Sequence, residues 1–270
     1  MKGSQNSRTY LVIFLILINN YCSVETNPLQ EKNSKKNIAV ALQNLFQKAG
    51  SKTNFLQGKF ESKNTLREFQ NPGDTRIHGL IPEVYNKWIE MLTAFEKEKS
   101  PNYKQTMFIV SSFRNYKHQK AIWESKYTGS KPMREPIKGK TPKEIIDLIL
   151  EFSSAPGTSR HHWGTDFDIN SLDNGYFEKG GKGYELYSWM TKNASRFGFC
   201  QPYNSLSLRN GVGYHEEKWH WSYRPLASEL RNLWIQEFKS GNIKMSDYKG
   251  SDVLGDRALD YVSSVALECQ

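Results

Sequence analysis

Three of the six histidines in the chain lie in two short segments that also carry acidic residues. Residues 159–168 read Ser-Arg-His-His-Trp-Gly-Thr-Asp-Phe-Asp, and residues 217–220 read Glu-Lys-Trp-His. Zinc binds imidazole nitrogen and carboxylate oxygen, and a catalytic zinc keeps one of its four positions open for water. We therefore predict a zinc site formed by His161, Asp168 and His220.

Glu217 is the candidate base of this site. Hydrolysis by a metal-bound water needs a base that takes the proton of the water and passes it to the leaving amine. Glu217 lies three residues before His220, and residues at odd offsets in a strand face opposite sides of a sheet. The chain must therefore bend at residues 217–219 if both side chains are to reach the metal.

Asp166 lies two residues before Asp168, on the same face of a strand predicted over residues 165–169. It either orients a ligand histidine through a hydrogen bond or is a solvated carboxylate. Asp168 itself is harder to explain without a ligand, because a buried carboxylate needs a partner.

The residues with candidate chemistry fall within or next to short predicted strands. Apolar runs predict further strands over residues 106–112 and 218–223, and Arg114 follows the first of these. Helices are predicted over residues 37–49, 82–98, 116–127, 184–197 and 226–239, and one more opens at the capping box of Thr141. Helices mixed with short strands indicate an α+β fold, with a small antiparallel sheet flanked by helices.

The composition fits a folded protein with an anionic partner. The chain has 270 residues, of which 37% are hydrophobic and 13% aromatic, and this argues against intrinsic disorder. The formal net charge of +9 favours a polyanionic partner such as cell-wall polymer, acidic lipid or nucleic acid. No basic run is interleaved with aromatic residues, so nucleic-acid binding is not expected.

The N-terminus has the pattern of an export signal. The basic residues Lys2 and Arg8 precede an apolar run at residues 10–18, which is too short to span a bilayer. Residues 1–24 are predicted to be a signal peptide or, through Cys22, a lipoprotein signal, and a short membrane anchor is the alternative. We expect the protein in the cell envelope, either periplasmic or extracellular, with or without a lipid anchor.

Residues 159–168 and 217–220 resemble the two signature motifs of the VanY-like D-alanyl-D-alanine carboxypeptidases, zinc peptidases whose fold is shared with the Hedgehog signalling domain. Residues 111–119, Ser-Ser-Phe-Arg-Asn-Tyr-Lys-His-Gln, are similar to a third family motif, Ser-Gly-Tyr-Arg-Ser with a downstream Gln. The three segments occur in the order of the family. The resemblance therefore implies a Hedgehog/DD-peptidase-like fold.

The resemblance also implies roles for seven residues. His161, Asp168 and His220 would be the zinc ligands, and Glu217 would be the catalytic base. The substrate-binding residues would be Arg114, Gln119 and Ser159. Arg114 would bind the peptide carboxylate or stabilise the developing oxyanion, since a guanidinium is always charged and can donate two parallel hydrogen bonds. A structural ion pair is the alternative for this residue. Two positions depart from the commonest family pattern: Asp166 replaces alanine and Ser112 replaces glycine.

The domain boundaries follow from these motifs and from composition. Polar residues at 25–37 indicate a linker, residues 38–245 form the predicted zinc peptidase domain, and residues 246–270 are a predicted tail. Cys200 and Cys269 either pair, as exported proteins permit, or remain free thiols.

The function implied by the resemblance is that of an exported zinc-dependent D-alanyl-D-alanine carboxypeptidase. It would trim the stem peptides of peptidoglycan, with zinc-bound water activated by Glu217. A peptidoglycan endopeptidase would use the same zinc ligands and base, so the residues at the metal do not separate the two activities. A non-catalytic zinc-binding module is a third alternative, and the presence of both Glu217 and Arg114 argues against it.

Overall fold

The computed structural model of the protein describes residues 28–209 and 211–270. The chain divides into two units, residues 1–37 and residues 38–270. The described residues of the first unit are helical, where the sequence predicts a linker. The predicted export signal, including Cys22, lies outside the described residues. No helix in the described part of the chain is long and apolar enough to cross a membrane.

Helices outnumber strands in the described part of the chain. The α-helices are α1 (Pro28–Lys48), α2 (Lys52–Leu56), α3 (Pro82–Glu98), α4 (Tyr116–Tyr127), α5 (Pro142–Ile149), α6 (Asn174–Phe177), α7 (Tyr184–Asn193), α8 (Arg224–Lys239), α9 (Ser251–Leu254) and α10 (Arg257–Ser263). The strands are β1 (Arg67–Phe69), β2 (His78–Leu80), β3 (Ile109–Ser111), β4 (Asp166–Ile169), β5 (Phe199–Cys200) and β6 (His220–Tyr223). Short 3₁₀ helices cover Ser62–Asn64, Arg160–Trp163, Ala194–Phe197, Leu206–Leu208 and Leu267–Cys269. The fold is α+β, as predicted.

A four-stranded antiparallel sheet in the order β3-β4-β6-β5 is the scaffold of the larger unit. The ladder between β4 and β6 sets Asp166 opposite Ser222 and Asp168 opposite His220. On the other side of β4, Ser111 lies opposite Asp168, next to an irregularity in the ladder. Side chains two residues apart share one face of a strand, so the opposed residues of β4 and β6 are neighbours on one face.

Local signals in the sequence explain where several helices begin and end. The Thr141 side chain accepts a hydrogen bond from the backbone N–H of Glu144, whose carboxylate accepts one from the Thr141 N–H, and this capping box starts α5. Pro82 occupies the first position of α3, where its missing N–H costs nothing. Gly198 ends the 3₁₀ helix after α7 with a φ of 85°, the left-handed conformation that glycine favours.

The predicted elements are confirmed in type, and differ mainly in length. Helices α3 and α4 have the predicted boundaries. Strand β6 begins at His220 rather than at residue 218, because residues 218 and 219 form a turn. The two-stranded antiparallel ladder of β1 and β2 was not predicted, since its three-residue strands carry little hydrophobic pattern.

The other face of β4 points into an aromatic core. Phe167 is fully buried, and its ring centroid lies 5.0 Å from that of Trp88 in α3. Burial of one such side chain stabilises the fold by about 1.5–3 kcal/mol. The indole N–H of Trp234 in α8 donates to the backbone oxygen of Gly157 at 2.8 Å, which fixes the chain just before the histidine-rich segment. Core packing thus holds the sheet and that segment together.

Residues 246–270 pack against the domain and are not a loose tail. Apolar side chains of α9 and α10, such as Leu254 and Val262, are buried. Cys269 forms a disulfide with Cys200 of β5, with 5.7 Å between the Cα atoms. Of the two predicted alternatives, a disulfide and two free thiols, the structure contains the disulfide. It links the C-terminal segment to the sheet.

Candidate metal centre

The three predicted metal ligands come together in the structure. One ligand atom from each of His161, Asp168 and His220 lies within 4.8 Å of the others, and all three residues are buried. Asp168 and His220 are opposed in the β4–β6 ladder, whereas His161 comes from the 3₁₀ turn Arg160–Trp163 that leads into β4. Gly164 ends this turn with a φ of 68°, a conformation that glycine adopts without strain.

Hydrogen bonds orient both imidazole rings. Nδ1 of His161 donates to the backbone oxygen of Ser112 at 2.8 Å, so its Nε2, 3.4 Å from Asp168 Oδ2, remains free to bind a metal. Nε2 of His220 donates to Asp166 Oδ2 at 2.9 Å, and its Nδ1 lies 3.1 Å from Asp168 Oδ1. The remaining nitrogen of each ring therefore faces the same carboxylate, as two ligands of one metal ion must.

The electrostatics of the cluster fit a cation. Asp168 Oδ1 is buried without a hydrogen-bond partner among the described residues, and such an unpaired carboxylate oxygen is costly. Burial lowers the pKa of His220, but the hydrogen bond to Asp166 and the nearby carboxylates of Asp168 and Glu217 outweigh burial and raise this pKa well above its usual value. The carboxylates around the two imidazole rings therefore favour positive charge at this position, which a bound metal cation would supply.

Glu217 stands beside the three ligands. Its Oε2 lies 3.4 Å from Nδ1 of His220. The backbone N–H of His220 donates to the backbone oxygen of Glu217 at 3.3 Å, so the predicted bend is present and brings both side chains to one side. Burial raises the pKa of the Glu217 carboxyl, which makes its carboxylate a stronger proton acceptor.

Asp166 is fully buried, so the solvated alternative predicted for it is wrong. Besides His220, its carboxylate accepts hydrogen bonds from Arg160 Nε at 2.8 Å, Ser222 Oγ at 3.0 Å and Thr165 Oγ1 at 2.6 Å. Arg160 is itself only 1% exposed and compensates the charge of the carboxylate. These donors hold Asp166 in place, and Asp166 in turn holds the ring of His220 with Nδ1 toward the other ligands.

Replacing Asp166 by asparagine should weaken metal binding. The amide keeps the size of the carboxylate but not its charge, so Arg160 loses its counter-ion and His220 loses a charged acceptor. We expect the metal affinity to fall by about 10- to 100-fold, the usual effect of removing the partner of a ligand histidine. Competition with a coloured chelator measures this. Asp252→Asn, at an exposed aspartate, is the control, and wild-type affinity in Asp166→Asn would contradict the role of this carboxylate.

Arg114 reaches the site from the segment after β3. Its Nη1 donates to Gln119 Oε1 at 2.7 Å and its Nη2 donates to Ser111 Oγ at 3.0 Å. Both partners are neutral, so the charge of the guanidinium remains available to an anionic group. The backbone N–H of Arg114 also donates to the backbone oxygen of His161 at 3.1 Å, which couples the arginine to the metal centre.

The other two predicted substrate-binding residues, Gln119 and Ser159, are buried. Gln119 is fully buried, and its Nε2 donates a hydrogen bond to the backbone oxygen of Ser154 at 2.6 Å. Its Oε1 accepts a hydrogen bond from Arg114. It therefore contacts the guanidinium, and contact with substrate stays a prediction. Ser159 is 1% exposed, and its role in substrate binding also stays a prediction.

His162 supports the site through backbone contacts that the sequence does not specify. This residue is fully buried; its Nδ1 donates to the backbone oxygen of Arg114 at 2.5 Å, and its Nε2 accepts from the backbone N–H of Gly157 at 3.1 Å. Burial lowers the pKa of His162 to about 3, so the neutral ring can donate at one nitrogen and accept at the other. Adjacency to a predicted ligand was its only signal in the sequence.

A cavity of about 600 Å³ opens over the metal centre. The three ligands, Glu217 and Arg114 all line it. Further lining side chains are of mixed polarity and include Lys126, Ser153, Tyr203, Tyr214 and Trp219. A space of this volume accepts the end of a peptide, and it brings that end to the metal ligands and the base together.

The sequence matches known proteins across the region that contains these residues. The model of the family described as VanY: D-alanyl-D-alanine carboxypeptidase matches residues 77–226. An uncharacterized protein of Haemophilus influenzae is 36% identical over 108 residues, which cover 36% of this chain and 77% of that protein. A D-alanyl-D-alanine carboxypeptidase of Enterococcus faecalis is 28% identical over 183 residues, which cover 60% of this chain and 64% of that protein.

Two solved structures similar to this one also carry the VanY name. VanYB in complex with D-alanine-D-alanine has 21% sequence identity and a TM-score of 0.45, over 67% of this chain and 91% of that chain. The vancomycin resistance D,D-pentapeptidase VanY in complex with Zn(II) has 20% identity and a TM-score of 0.44, over 64% of this chain and 86% of that chain. The family match spans more than half of the chain and includes Arg114, Glu217 and the three ligands. This chain belongs to the VanY family of D-alanyl-D-alanine carboxypeptidases.

Proposed function

We propose that the protein is an exported zinc-dependent D-alanyl-D-alanine carboxypeptidase that trims the stem peptides of peptidoglycan. The observation that carries this proposal is the buried cluster of His161, Asp168 and His220, with Glu217 beside it and a cavity above it. A purely structural metal site is closed by four protein ligands. A hydrolytic metal site typically has three protein ligands, a neighbouring base and access from solvent.

The donor set fits zinc and disfavours calcium and magnesium. Two imidazoles and one carboxylate suit zinc, whereas calcium and magnesium prefer sites built from oxygen alone. When bound, zinc would polarise the scissile carbonyl and make water acidic enough to react near neutral pH. The unpaired Oδ1 atom of Asp168 and the free ring nitrogens of His161 and His220 are the atoms that would hold the ion.

The residues of the chain itself move the protons and stabilise the charge. Glu217 takes a proton from the attacking water and delivers it to the nitrogen of the leaving D-alanine as the C–N bond breaks. Arg114 donates hydrogen bonds to the carbonyl oxygen as negative charge develops there. Gln119 and Ser111 fix the guanidinium in advance, so the reaction requires little reorganisation of this side chain.

Arg114→Lys should lower kcat more than it raises KM. Lysine keeps the charge but loses the forked donors that Gln119 and Ser111 align. Loss of one donor to an oxyanion typically costs about 10²- to 10³-fold in kcat. Steady-state hydrolysis of an N-acyl D-Ala-D-Ala peptide measures both constants, with Lys117→Arg on the exposed side of α4 as the control. An increase in KM at constant kcat would instead assign Arg114 to binding of the peptide carboxylate.

Two other activities remain as alternatives to the proposed one. A peptidoglycan endopeptidase would use the same ligands and base, and family membership favours the carboxypeptidase over it. A non-catalytic zinc-binding module would require neither a base nor a free guanidinium at the cavity. The position of Glu217 and Arg114 at that cavity favours an enzyme.

Export and a location in the cell envelope are part of the proposal. The pattern of residues 1–24 is that of an export signal, and the Cys200–Cys269 disulfide is typical of an oxidising compartment. Without Lys2 and Arg8 the net charge of +9 becomes 9 − 2 = +7, which suits a polyanionic cell wall. Cell fractionation tests the proposal: protein without residues 1–24 should stay in the cytoplasm, and equal export of both forms would contradict the assigned signal.

Product analysis separates the three activities. Zinc-loaded protein is incubated with a muramyl pentapeptide and, separately, with a cross-linked peptide dimer, and products are identified by mass spectrometry. The proposal predicts loss of a single alanine from the pentapeptide. Cleavage of the dimer alone would indicate the endopeptidase. No cleavage of either substrate by protein with stoichiometric zinc would favour the non-catalytic module.

A further inference from the structure

The segment that carries Glu217 has no regular secondary structure of its own. Residues 215–217 belong to neither a helix nor a strand, and residues 218 and 219 form a turn before β6. The backbone groups of such a segment need partners from elsewhere, because a buried N–H or C=O group without a partner is costly. The position of the Glu217 side chain therefore depends on the groups that hold this backbone.

One side chain, Asn174, binds the backbone on both sides of Glu217. Its Nδ2 donates to the backbone oxygen of Glu216 at 2.8 Å, and its Oδ1 accepts a hydrogen bond from the backbone N–H of Lys218 at 2.9 Å. The side chain thus contacts both peptide groups that flank Glu217. A primary amide suits this task, since it carries a donor and an acceptor side by side.

A second segment binds the remaining atoms of the same two peptide groups. The backbone N–H of Glu217 donates to the backbone oxygen of Tyr203 at 2.9 Å, and its backbone oxygen accepts a hydrogen bond from Gln201 Nε2 at 3.1 Å. Gln201 and Tyr203 follow β5, whereas Asn174 belongs to α6. All four polar backbone atoms beside the base are therefore hydrogen-bonded, and Asn174 holds two of them.

Asn174 is itself fixed by the short helix α6. It is the first residue of this helix, which Asp173 caps through its side chain. At the other end of α6, Phe177 is 1% exposed, and its ring centroid lies 6.0 Å from that of Tyr187 in α7. Asn174 also follows the predicted metal ligand Asp168 by only six residues. One short segment thus connects a metal ligand to the backbone of the base.

We propose that Asn174 is a positioning residue that holds Glu217 at the metal centre. Asn174 lines the cavity, but the backbone on both sides of Glu217 engages its donor and its acceptor, so it places the base and does not bind substrate. The inference rests on the proposed function, in which Glu217 is the base. Proton transfer depends on the distance between the two groups, and a displacement of about 1 Å can cost about 100-fold in rate.

Asn174→Ala tests this role by removing both hydrogen bonds at once. We expect kcat to fall by about 10- to 100-fold, with KM and zinc affinity within about twofold of wild type. Asn174→Ser should show the same loss, because its shorter side chain does not reach both peptide groups, and serine suits the start of a helix if the alanine variant does not fold. Asn232→Ala, at an exposed asparagine of α8, is the control and should keep wild-type kcat.

A double-mutant cycle with Glu217→Gln separates positioning of the base from a general structural role. If Asn174 acts only through Glu217, Asn174→Ala should lower the residual hydrolysis by Glu217→Gln protein by less than about twofold. An equal loss in both backgrounds would overturn the inference. So would a wild-type kcat in the single variant, or an increase in KM at constant kcat, which would assign Asn174 to substrate binding.

Amide hydrogen exchange gives a readout that does not depend on activity. Exchange of the Lys218 N–H, followed by NMR, should be at least about tenfold faster in Asn174→Ala than in the wild type, because this amide loses its acceptor. It should be unchanged in Asn232→Ala, and an unchanged rate in Asn174→Ala would overturn the inference. Failure of the proposed function is a different result, because wild-type protein with zinc bound would then hydrolyse neither a pentapeptide nor a cross-linked dimer, whatever the exchange rate at Lys218.

Discussion

Glu217→Gln should lose peptide hydrolysis and keep its zinc. Glutamine preserves the size of the side chain and its contact with His220, but an amide does not accept a proton near neutral pH. The base is thereby removed while all three ligands remain. General acid–base groups contribute about 10²- to 10⁴-fold to the rate, so we expect kcat to fall by that factor. Hydrolysis of a pentapeptide and zinc content are measured on the same preparation.

The neighbouring Glu216 provides a matched control for this change. Glu216 is only partly buried and lies 4.0 Å from Lys218 in a weak surface ion pair. Glu216→Gln should keep wild-type kcat and zinc content. If Glu217→Gln retained activity within a few-fold of wild type, the assignment of the base would be wrong. If it lost zinc together with activity, Glu217 would be a ligand and the open site would not exist.

His161→Ala should lose zinc and activity together. His161 supplies one of the three ligand atoms, a ring nitrogen. A hydrogen bond to the backbone oxygen of Ser112 orients the ring. Removal of a ligand costs more than removal of the partner of a ligand, so zinc affinity should fall by more than about 100-fold. Chelator competition measures the affinity, and pentapeptide hydrolysis measures the activity.

Thermal unfolding gives an independent check of the same variant. A metal that binds only the folded state raises the midpoint of unfolding, and the effect grows with its concentration. Added zinc should therefore raise the midpoint of the wild type and of the control His118→Ala, an exposed histidine. It should not raise the midpoint of His161→Ala. An equal increase in all three proteins would show that zinc stabilises the fold from another site.

The ligands could be predicted because their chemistry is local. His161 and Asp168 lie seven residues apart in one segment, and an aspartate between apolar residues has few explanations other than a bound cation or a buried partner. The distant ligand His220 was predicted from its place in a second segment with an acidic residue, and the family resemblance supported this, since spacing alone does not say that β6 pairs with β4. The resemblance also accounted for the bend at Glu217, which the structure contains.

The supporting contacts could not be predicted because they depend on tertiary register. Asp166 can reach His220 only when β4 and β6 pair with Asp168 opposite His220, and one residue of slip would place Asp166 on the wrong side. His162 is held by backbone groups from two separate segments, and no side-chain pattern records such contacts. The same reason explains why the packed C-terminal residues were predicted to be a tail.

The proposed function depends above all on three side chains binding one zinc ion. The most direct measurement is an anomalous difference map, recorded at the zinc absorption edge from crystals of the zinc-loaded wild-type protein. The proposed function predicts a single strong peak bounded by His161 Nε2, the carboxylate of Asp168 and Nδ1 of His220, and no such peak in His161→Ala. A stoichiometric zinc peak at any other position, with these three side chains free of metal, would contradict it.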